Sequence, residues 1–378
     1  MIVGAVAVFF ITLGLGQLAS TVLQFRGASL VGASRWAGFS LGIGLIILGA
    51  VLLPQNFLVL LWVPPAGLIT MVLLLLAGSV ILPPPHPNSF FAPDAPGHGG
   101  CCPVQIRDGD SYVPGLLLYP RCSAAEEKER GAASPAEANI RAGAAICIVH
   151  GAGDTKISFK WRLIKKLVAA GFTVLTIDLP GHGDNRDRPL VYPDSLPAVL
   201  AALQFLRAQQ GIERVGLIGV SLGGAMAIRA LADHGSPASL VDALVVLAAP
   251  IQLKYTNSLF YREMWNTCYR APLVSLLREI TIKQLRESWY SGGYRSRHNT
   301  SELFQLLRPL DYIGQLKEIP ILLVYSRIDL VAPPDQAQAM RQAAPHADFI
   351  EAKKASHVAL ILMPEIIDQI SKWLSSKL

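Results

Sequence analysis

Charge is distributed very unevenly along this chain. Arg26 and Arg35 are the only charged residues before Asp94, so 58 of the 60 Asp, Glu, Lys and Arg residues fall in the last 285 of 378 positions. About one residue in four is charged in a typical soluble domain. The first 93 residues therefore belong to a different structural class from the rest, and their apolar character predicts a membrane region.

Two uncharged runs, Met1–Phe25 and Trp36–Pro93, are long enough to cross a bilayer. One crossing needs about 20 apolar residues, so the second run, 58 residues long, is expected to hold two crossings. Pro64 and Pro65 would kink the last span or shorten it to Ala66–Leu82. The predicted spans are Ile2–Leu23, Trp36–Leu53 and Phe57–Leu82, with a turn at Pro54, Gln55 and Asn56 between the last two.

The short loop between the first two spans holds Arg26 and Arg35. Basic loop residues favour the cytoplasmic side, so three crossings would leave the C-terminal part in the cytoplasm. A cleaved signal peptide is the alternative interpretation of the first span, but the chain lacks a basic start and further apolar spans follow. We therefore predict a transmembrane region over residues 1–83, a Pro/Gly/His linker over 84–100 and a globular domain over 101–378.

The globular part alternates short Val/Ile/Leu-rich runs with amphipathic stretches. This pattern is typical of an α/β fold, with a mostly parallel sheet covered by helices on both faces. Ligands of such sheets bind beyond the carboxyl ends of the strands. The predicted strands are Val104–Arg107, Val113–Tyr119, Ala145–His150, Thr173–Asp178, Val215–Val220, Ala243–Ala248, Ile321–Tyr325 and Asp348–Glu351. The predicted helices are Lys160–Ala170, Leu196–Gln210, Leu222–His234, Asp335–Ala343 and Pro364–Leu374.

A serine follows the fifth predicted strand directly. Ser221 lies between Gly219 and Gly223, and a helix is predicted to begin at the next residue. This spacing is typical of a nucleophile elbow, in which a strained turn raises the hydroxyl above the sheet and glycines two positions away leave room for the strand and helix. The alternative is a small-residue turn with an inert serine. The position between strand and helix favours the elbow.

A serine nucleophile needs a base within hydrogen-bond reach. His357 is the best candidate, because it follows the last strand and precedes the final helix. His346 precedes that strand and should lie at the opposite edge of the sheet, and His298 lies in an insertion. The sequence therefore predicts His357 as the base.

The base in turn needs an acid to orient it. Asp329 comes shortly after the seventh predicted strand, which is the expected position for this group. Asp335 is the rival, but it is better explained as the N-cap of the following helix. The resulting chain order of Ser, Asp and His is the order of the hydrolase form of the catalytic triad.

A tetrahedral intermediate requires two N–H donors for its oxyanion. The backbone N–H of Leu222 is the first predicted donor. The second is expected from Ala152, because Gly151, Ala152 and Gly153 keep side chains small after the third strand. His150 is interpreted as a structural residue that stiffens this loop, rather than as a second base.

From about Ala145 to the C-terminus the sequence resembles the α/β-hydrolase superfamily, and within it the serine aminopeptidase, monoacylglycerol lipase and lysophospholipase group. The motifs that carry the resemblance are His150-Gly151-Ala152-Gly153, Asp178-Leu179-Pro180-Gly181-His182-Gly183, the elbow at Ser221, Asp329 with Pro333, and Ser356-His357. The resemblance implies an α/β-hydrolase fold with a Ser221, Asp329 and His357 triad, and a loop-shaping, noncatalytic His182. A serine at position 221 argues against the epoxide hydrolase and haloalkane dehalogenase branches. The predicted spans lie outside the resemblance.

Residues 251–311, called the insertion below, separate the sixth and seventh strands where this family carries a helical cap. From Lys254 to Arg308 the insertion has nine Lys or Arg and four Glu, which nearly accounts for the net charge of +6. Basic helices with aromatic faces suit an anionic membrane surface, although a solvated basic face is an equally good interpretation. The aromatic residues include Tyr255, Phe260, Tyr261, Trp265, Tyr269, Trp289 and Tyr290.

The leading hypothesis is a membrane-anchored serine hydrolase that cleaves carboxylic esters, such as acyl lipids, through an acyl-enzyme on Ser221. The alternative is an amide, thioester or N-terminal peptide hydrolase, or an acyltransferase, with the same triad, since a triad does not select the leaving group. A catalytically silent membrane scaffold is the alternative from another class.

No metal, nucleotide or flavin cofactor is expected, and no nucleic-acid partner, because no binding motif accompanies the basic charge. The adjacent Cys101 and Cys102 are interpreted as an inert pair, with acylation as the alternative. Cys147 is expected to be a buried free thiol.

Overall fold

The structure is a computed structural model that describes residues 2–23, 35–52, 91, 98–120, 143–157, 160–254, 256, 258–259, 262–263 and 294–378. The described residues fall into two compact units. One contains the apolar helices near the N-terminus, and the other contains the sheet.

The first unit contains helices α1 (Ile2–Leu23) and α2 (Arg35–Val51), at the positions of the first two predicted spans. Their backbones approach closely at glycines, since a Cβ on Gly14 would lie 2.7 Å from the carbonyl oxygen of Gly42. Among the residues described, no helix has the combined length and apolarity that a membrane crossing requires. The third predicted span, Phe57–Leu82, lies outside the described residues.

The second unit is built around a mostly parallel eight-stranded sheet, as the sequence predicts. The strands lie in the order β1-β2-β4-β3-β5-β6-β7-β8. Strand β2 pairs antiparallel with β1 and β4, and all other pairs are parallel. The strands are β1 (Gly100–Asp108), β2 (Ser111–Tyr119), β3 (Gly143–Val149), β4 (Thr173–Ile177), β5 (Ile212–Val220), β6 (Ala243–Leu247), β7 (Ile321–Ser326) and β8 (Asp348–Ala352).

The central strands are buried on both faces. Every residue of β4 and β6 is buried, and so is every residue of β3 after Gly143. Such strands are continuous Val/Ile/Leu runs because helices cover both sides of a parallel sheet. The helices of this unit are α3 (Trp161–Ala169), α4 (Pro197–Arg207), α5 (Leu222–His234), α6 (Thr300–Leu307), α7 (Pro309–Ile313), α8 (Pro334–Ala343), α9 (His357–Leu360) and α10 (Pro364–Lys377).

The strand order reverses direction beside β3. The chain passes from β3 to β4 on one side and then crosses to β5 on the other side of β3. At such a switch point the loops after the two strands diverge and leave a crevice at their carboxyl ends. The loop that begins at His150 and the turn at Ser221 both lie at this crevice.

Strand β1 and helix α8 differ from the sequence-based expectation. Strand β1 begins at Gly100 rather than Val104, because the Cys101–Pro103 segment pairs with β2 although its composition resembles the preceding linker. The predicted N-cap role of Asp335 is wrong. Helix α8 begins at Pro334 with Pro333 as its N-cap, since proline favours the first helical position, and Asp335 lies inside the first turn.

Within the insertion, the structure describes residues 251–254, 256, 258–259 and 262–263, and then the chain from Tyr294 onward, which includes helix α6 and the start of α7. The seven aromatic residues named above for the insertion lie outside the described residues. Among the cysteines, Cys147 is a buried free thiol, as expected, and burial raises its pKa to about 12. Cys101 is buried in β1, whereas Cys102 is exposed.

Candidate active site

Ser221 occupies a strained turn between β5 and α5. Its backbone has φ +52° and ψ −116°, a left-handed conformation that costs a non-glycine residue about 1 kcal/mol or more. The turn is held on the strand side, where the Ser221 N–H donates to the carbonyl oxygen of Leu247 at 2.8 Å. The surrounding structure therefore enforces a conformation that the residue would not adopt alone.

Glycines on both sides make this turn possible. A Cβ on Gly219 would lie 2.6 Å from the Cα of Gly224. A Cβ on Gly223 would lie 2.4 Å from the carbonyl oxygen of His150 and 2.5 Å from that of Val149. All of these neighbours are backbone atoms, which cannot move aside as the end of a long side chain can. The elbow therefore depends on glycine at both positions.

We expect Gly223→Ala to lower the free energy of unfolding by about 3 kcal/mol or more, because the new methyl group overlaps two carbonyl groups of β3 and the loop after it. Gly224→Ala is the matched control. It lies one position along the same helical turn, and its Cβ would meet side-chain and backbone atoms only at 3.0 Å or beyond. Urea unfolding of the two variants measures the difference. Equal stability would contradict the close contact between α5 and β3.

The structure brings Ser221, His357 and Asp329 together in hydrogen-bond contact. The Nδ1 atom of His357 lies 2.8 Å from Oδ2 of Asp329, and its Nε2 lies 2.9 Å from Oγ of Ser221. An ionised carboxylate can only accept, so Nδ1 carries the proton and Nε2 is left to accept from the serine hydroxyl. This is the arrangement that a general base needs to remove the serine proton.

Asp329 is held by the backbone that follows it. Its Oδ1 accepts the N–H groups of Val331 and Ala332 at 2.7 and 2.8 Å, and the residue is 1% exposed. Oδ2 is thereby left for His357. These two hydrogen bonds fix the carboxylate, so Oδ2 stays directed at the imidazole.

The surroundings of His357 raise the pKa of its imidazole. Burial lowers the pKa of the imidazole, but the charge and hydrogen bond of Asp329, with a further contribution from Glu263, outweigh burial and raise it. A base must be neutral to accept a proton, so activity that depends on His357 should rise with pH through this raised pKa.

The rival candidates lie elsewhere. His346 is exposed and precedes β8, and Asp335 is exposed in the first turn of α8. His298 pairs through Nδ1 with Glu302 of α6 at 3.1 Å. None of these residues belongs to the hydrogen-bonded group at Ser221, as their positions relative to the strands predict.

The loop after β3 approaches the serine closely. A Cβ on Gly151 would lie 3.2 Å from the Cβ of Ser221, so a side chain at this position would crowd the serine. Ala152 follows at the turn, and Leu222 is the first residue of α5, where a backbone N–H has no partner within the helix. The two predicted oxyanion donors thus belong to segments that both lie beside Ser221.

His150 stiffens the loop and does not face Ser221 as a second base. Its Nδ1 donates to the carbonyl oxygen of Gly151 at 2.8 Å, and its Nε2 accepts the N–H of Leu179 at 3.0 Å. Burial, together with the charges of nearby residues, holds the pKa of His150 well below its usual value, so the ring stays neutral. Both ring nitrogens are therefore committed to the backbone.

Buried ion pairs also hold the loop after β3. Asp154 follows the glycines and pairs with Lys160, which is fully buried, at 2.6 Å. Lys156 donates its backbone N–H to Oδ1 of Asp178 at 2.7 Å and its ammonium group to Oδ2 at 2.5 Å. Lys156 thus ties the loop to Asp178, the residue after β4, and Lys160 holds Asp154 of the loop itself. Neither lysine is predicted from the sequence.

The segment of the insertion that contains Arg295 is hydrogen-bonded to the loop after β4. Arg295 donates its N–H to the carbonyl oxygen of Gly181 at 3.0 Å and accepts the N–H of Leu190 at 2.9 Å. His182 donates from Nδ1 to the carbonyl oxygen of Pro180, and its ring stacks on Tyr294 with centroids 4.6 Å apart. Burial lowers the pKa of His182 to about 4. His182 therefore shapes a loop, in line with what the resemblance implies.

A second carboxylate, which the sequence analysis missed, lies beside the triad. Glu263 of the insertion is 5% exposed and accepts the backbone N–H of His357 at 2.5 Å. The two residues are 94 positions apart, so no local pattern could have revealed the contact. In the part of the chain that the structure describes, no group of three His, Cys, Asp or Glu side chains is arranged to hold a metal ion.

The sequence profile of the Alpha/beta hydrolase family matches residues 148–369, which is more than half of the chain and includes every residue of the triad. The chain belongs to the alpha/beta hydrolase family. The mostly parallel eight-stranded sheet of the structure agrees with this membership. The match does not extend over the apolar N-terminal residues.

Several curated relatives share this family's sequence features. The human protein ABHD12B is 26% identical over 261 residues, which are 66% of this chain and 64% of that protein. An uncharacterized protein of Mycobacterium tuberculosis is 35% identical over 118 residues, 31% of this chain and 33% of its own length. The pimeloyl-[acyl-carrier protein] methyl ester esterase of Nitrosomonas europaea is 24% identical over 54% of this chain and 86% of its own. This chain thus spans less than two thirds of the first two relatives.

Two solved structures illustrate the shared alpha/beta hydrolase fold. The bromoperoxidase of Bacillus anthracis has a TM-score of 0.52 and 15% identity, over 73% of this chain and 100% of that one. The 2,6-dihydroxy-pseudo-oxynicotine hydrolase also has a TM-score of 0.52 and 15% identity, over 98% of this chain and 87% of its own. At this identity the similarity shows the fold alone.

Proposed function

We propose that the protein is a serine hydrolase that cleaves carboxylic esters, with acyl lipids as the substrate class, through an acyl-enzyme on Ser221. One observation carries the proposal. The Ser221 hydroxyl, the His357 imidazole and the Asp329 carboxylate form a continuous hydrogen-bonded chain at the crevice of the sheet. Membership of the alpha/beta hydrolase family and the relationship to an esterase of Nitrosomonas europaea support the same class of reaction.

In the proposed reaction Oγ of Ser221 attacks the ester carbonyl carbon, and the serine proton passes to Nε2 of His357. The carbonyl oxygen becomes an oxyanion that accepts the N–H groups of Ala152 and Leu222. Collapse of this intermediate breaks the bond to the alcohol, which takes the proton from His357 as it leaves. Water then attacks the acyl-enzyme with His357 again as the base, releasing the carboxylic acid and restoring Ser221.

The fixed surroundings of the loop support this use of Ala152. Glycine at position 151 brings the loop beside Ser221, and His150 and the Asp154–Lys160 ion pair hold it in place. An oxyanion site is effective when its donors need no reorganisation during the reaction. The commitment of both His150 nitrogens to backbone groups supplies that rigidity.

We also propose that residues 1–83 anchor the hydrolase to a membrane, with its sheet on the cytoplasmic side. The support comes from the sequence: uncharged runs of 25 and 58 residues, and basic residues Arg26 and Arg35 in the loop between the first two predicted spans. The close packing of α1 and α2 through glycines agrees with a paired apolar region. A membrane anchor would bring the crevice near acyl lipids.

The test is an acyl-substrate panel on the full chain, assayed in salt-washed membrane and soluble fractions. We expect hydrolysis of p-nitrophenyl esters and monoacylglycerols, sedimentation of that activity with the membranes, and covalent labelling of the protein by a fluorophosphonate. Aminoacyl anilides and acyl thioesters in the same panel separate the ester proposal from its amide and thioester alternatives.

Each part of this proposal fails on a different result. Preference for an anilide or a thioester over every ester would overturn the substrate class but keep the serine mechanism. Activity that stays in the soluble fraction would overturn the anchor. A folded wild-type protein that neither labels nor turns over any substrate would support a silent scaffold on a hydrolase fold.

A further inference from the structure

Glu263 lies between the two backbone segments that carry the acid and the base. Its Oε1 accepts the N–H of His357 at 2.5 Å, and its Oε2 accepts the N–H of Leu330 at 3.3 Å. Leu330 is the residue after Asp329, so a single carboxylate bridges the chain at Asp329 and the chain at His357. Glu263 belongs to the insertion, whereas the two segments it bridges follow β7 and β8.

We propose that Glu263 is a positioning residue for the triad, which fixes the spacing of the Asp329 and His357 segments and adds a second negative charge beside the imidazole. The inference rests on the proposed function, because it treats His357 as the base. It extends that function by linking the insertion to the reacting groups through one buried side chain.

The position is unfavourable for a carboxylate that has only a packing role. Burial raises the pKa of Glu263, and repulsion from Asp329 raises it further, whereas His357 and the two backbone donors lower it. A neutral side chain of similar size would fill the same space without the cost of removing a charge from water. The charge itself therefore needs a compensating role.

That role arises when the base accepts a proton. In the resting site Glu263 and Asp329 repel each other beside a neutral imidazole. During attack by Ser221 the imidazole becomes an imidazolium, and both carboxylates then attract it. An interaction that is stronger in the transition state than in the resting enzyme accelerates the chemical step. Among the described residues, the charged groups that act on His357 are Asp329 and Glu263, and both raise its pKa.

The discriminating variant is Glu263→Gln, which keeps the size and one acceptor oxygen but removes the charge. We expect kcat/KM for the best ester of the panel to fall about 10- to 100-fold, because the spacing of the triad is disturbed. The acidic limb of the kcat/KM profile against pH should move to lower pH. The sign follows from the lost attraction, because without Glu263 the imidazolium of His357 is less stable and its pKa falls.

Two further variants complete the design. Glu263→Asp keeps the charge on a shorter side chain, so it should lose activity while its acidic limb stays nearer to that of the wild type. Glu302→Gln is the matched control, since Glu302 also belongs to the insertion but is exposed and pairs with His298. It should leave both the activity and the pH profile unchanged. Thermal unfolding identifies the variants that are folded.

The outcomes separate the two proposals. Wild-type activity and an unshifted acidic limb in folded Glu263→Gln would overturn the positioning role while the hydrolase proposal stands. Lower activity with an unshifted limb would overturn it as well, because a purely structural defect would do the same. If Glu263→Gln does not fold, Glu263→Asp decides, because its shorter side chain holds the charge farther from the imidazole. An acidic limb that moves part of the way to lower pH then supports the proposal, and a limb at the wild-type pH overturns it. Failure of the wild type to label would instead refute the hydrolase proposal itself.

Discussion

Ser221→Ala should lower kcat for ester hydrolysis about 10⁴-fold or more and abolish labelling by a fluorophosphonate. The alanine keeps the Cβ that fits the turn but removes the Oγ that lies 2.9 Å from Nε2 of His357. No acyl-enzyme can then form, and only the oxyanion donors and substrate binding remain. Steady-state kinetics and gel fluorescence after labelling measure the two effects.

Ser236→Ala is the matched control for this variant. Ser236 is an exposed serine just beyond the other end of α5, and it should leave kinetics and labelling unchanged. Both variants should unfold near the wild-type temperature, because neither creates a cavity of more than one atom. Turnover at the wild-type rate in folded Ser221→Ala would refute the acyl-enzyme and direct attention to another nucleophile.

Asp329→Asn should lower kcat about 10⁴-fold while the protein stays folded. The asparagine Oδ1 can still accept the N–H groups of Val331 and Ala332, so the loop is retained. The amide nitrogen replaces Oδ2 and donates a proton toward His357, which favours the tautomer with its proton on Nε2. That tautomer cannot accept the proton of Ser221.

The pH profile provides a second measure of the same change. Loss of the Asp329 charge lowers the pKa of His357, so the remaining activity should keep its plateau down to lower pH than the wild type. Asp335→Asn, at the exposed rival aspartate, should behave like the wild type. If Asp335→Asn lost activity and Asp329→Asn kept it, the assignment of the acid would be reversed.

The sheet was predictable because its strands are buried on both faces. Buried strands such as β4 and β6 are runs of Val, Leu and Ile bounded by turns, so their positions are visible without any alignment. Strand β1 is an edge strand with a mixed burial pattern, and its first residues have the composition of the preceding linker, so its start was missed. Helix α8 begins one residue earlier than predicted, because Pro334 rather than Asp335 occupies its first position.

Some residues of the site could be predicted from the sequence, and others could not. Ser221, Asp329 and His357 each follow a strand, and parallel strands bring their carboxyl ends to one edge, so order along the chain was enough to select them. Glu263 is different, because it reaches the site from the insertion, whose path over the sheet no periodicity specifies. In the sequence, Glu263 is only one of four glutamates among the nine Lys or Arg residues between Lys254 and Arg308. Lys156 and Lys160 were missed for a related reason, since a buried lysine looks like a surface one until its partners are known.

The hydrogen bonds between Arg295 and the Gly181–Leu190 loop limit how this hydrolase can be redesigned. A Cβ on Gly181 would lie 2.0 Å from the carbonyl oxygen of Arg295, so the two segments fit each other only as a pair. The loop also carries His182, whose ring contacts that of His150 at a centroid distance of 4.7 Å. A chimera that exchanged residues 251–311 alone would replace Tyr294, on which the His182 ring stacks, and should disturb this loop. We therefore expect the insertion and the loop after β4 to be exchangeable only together.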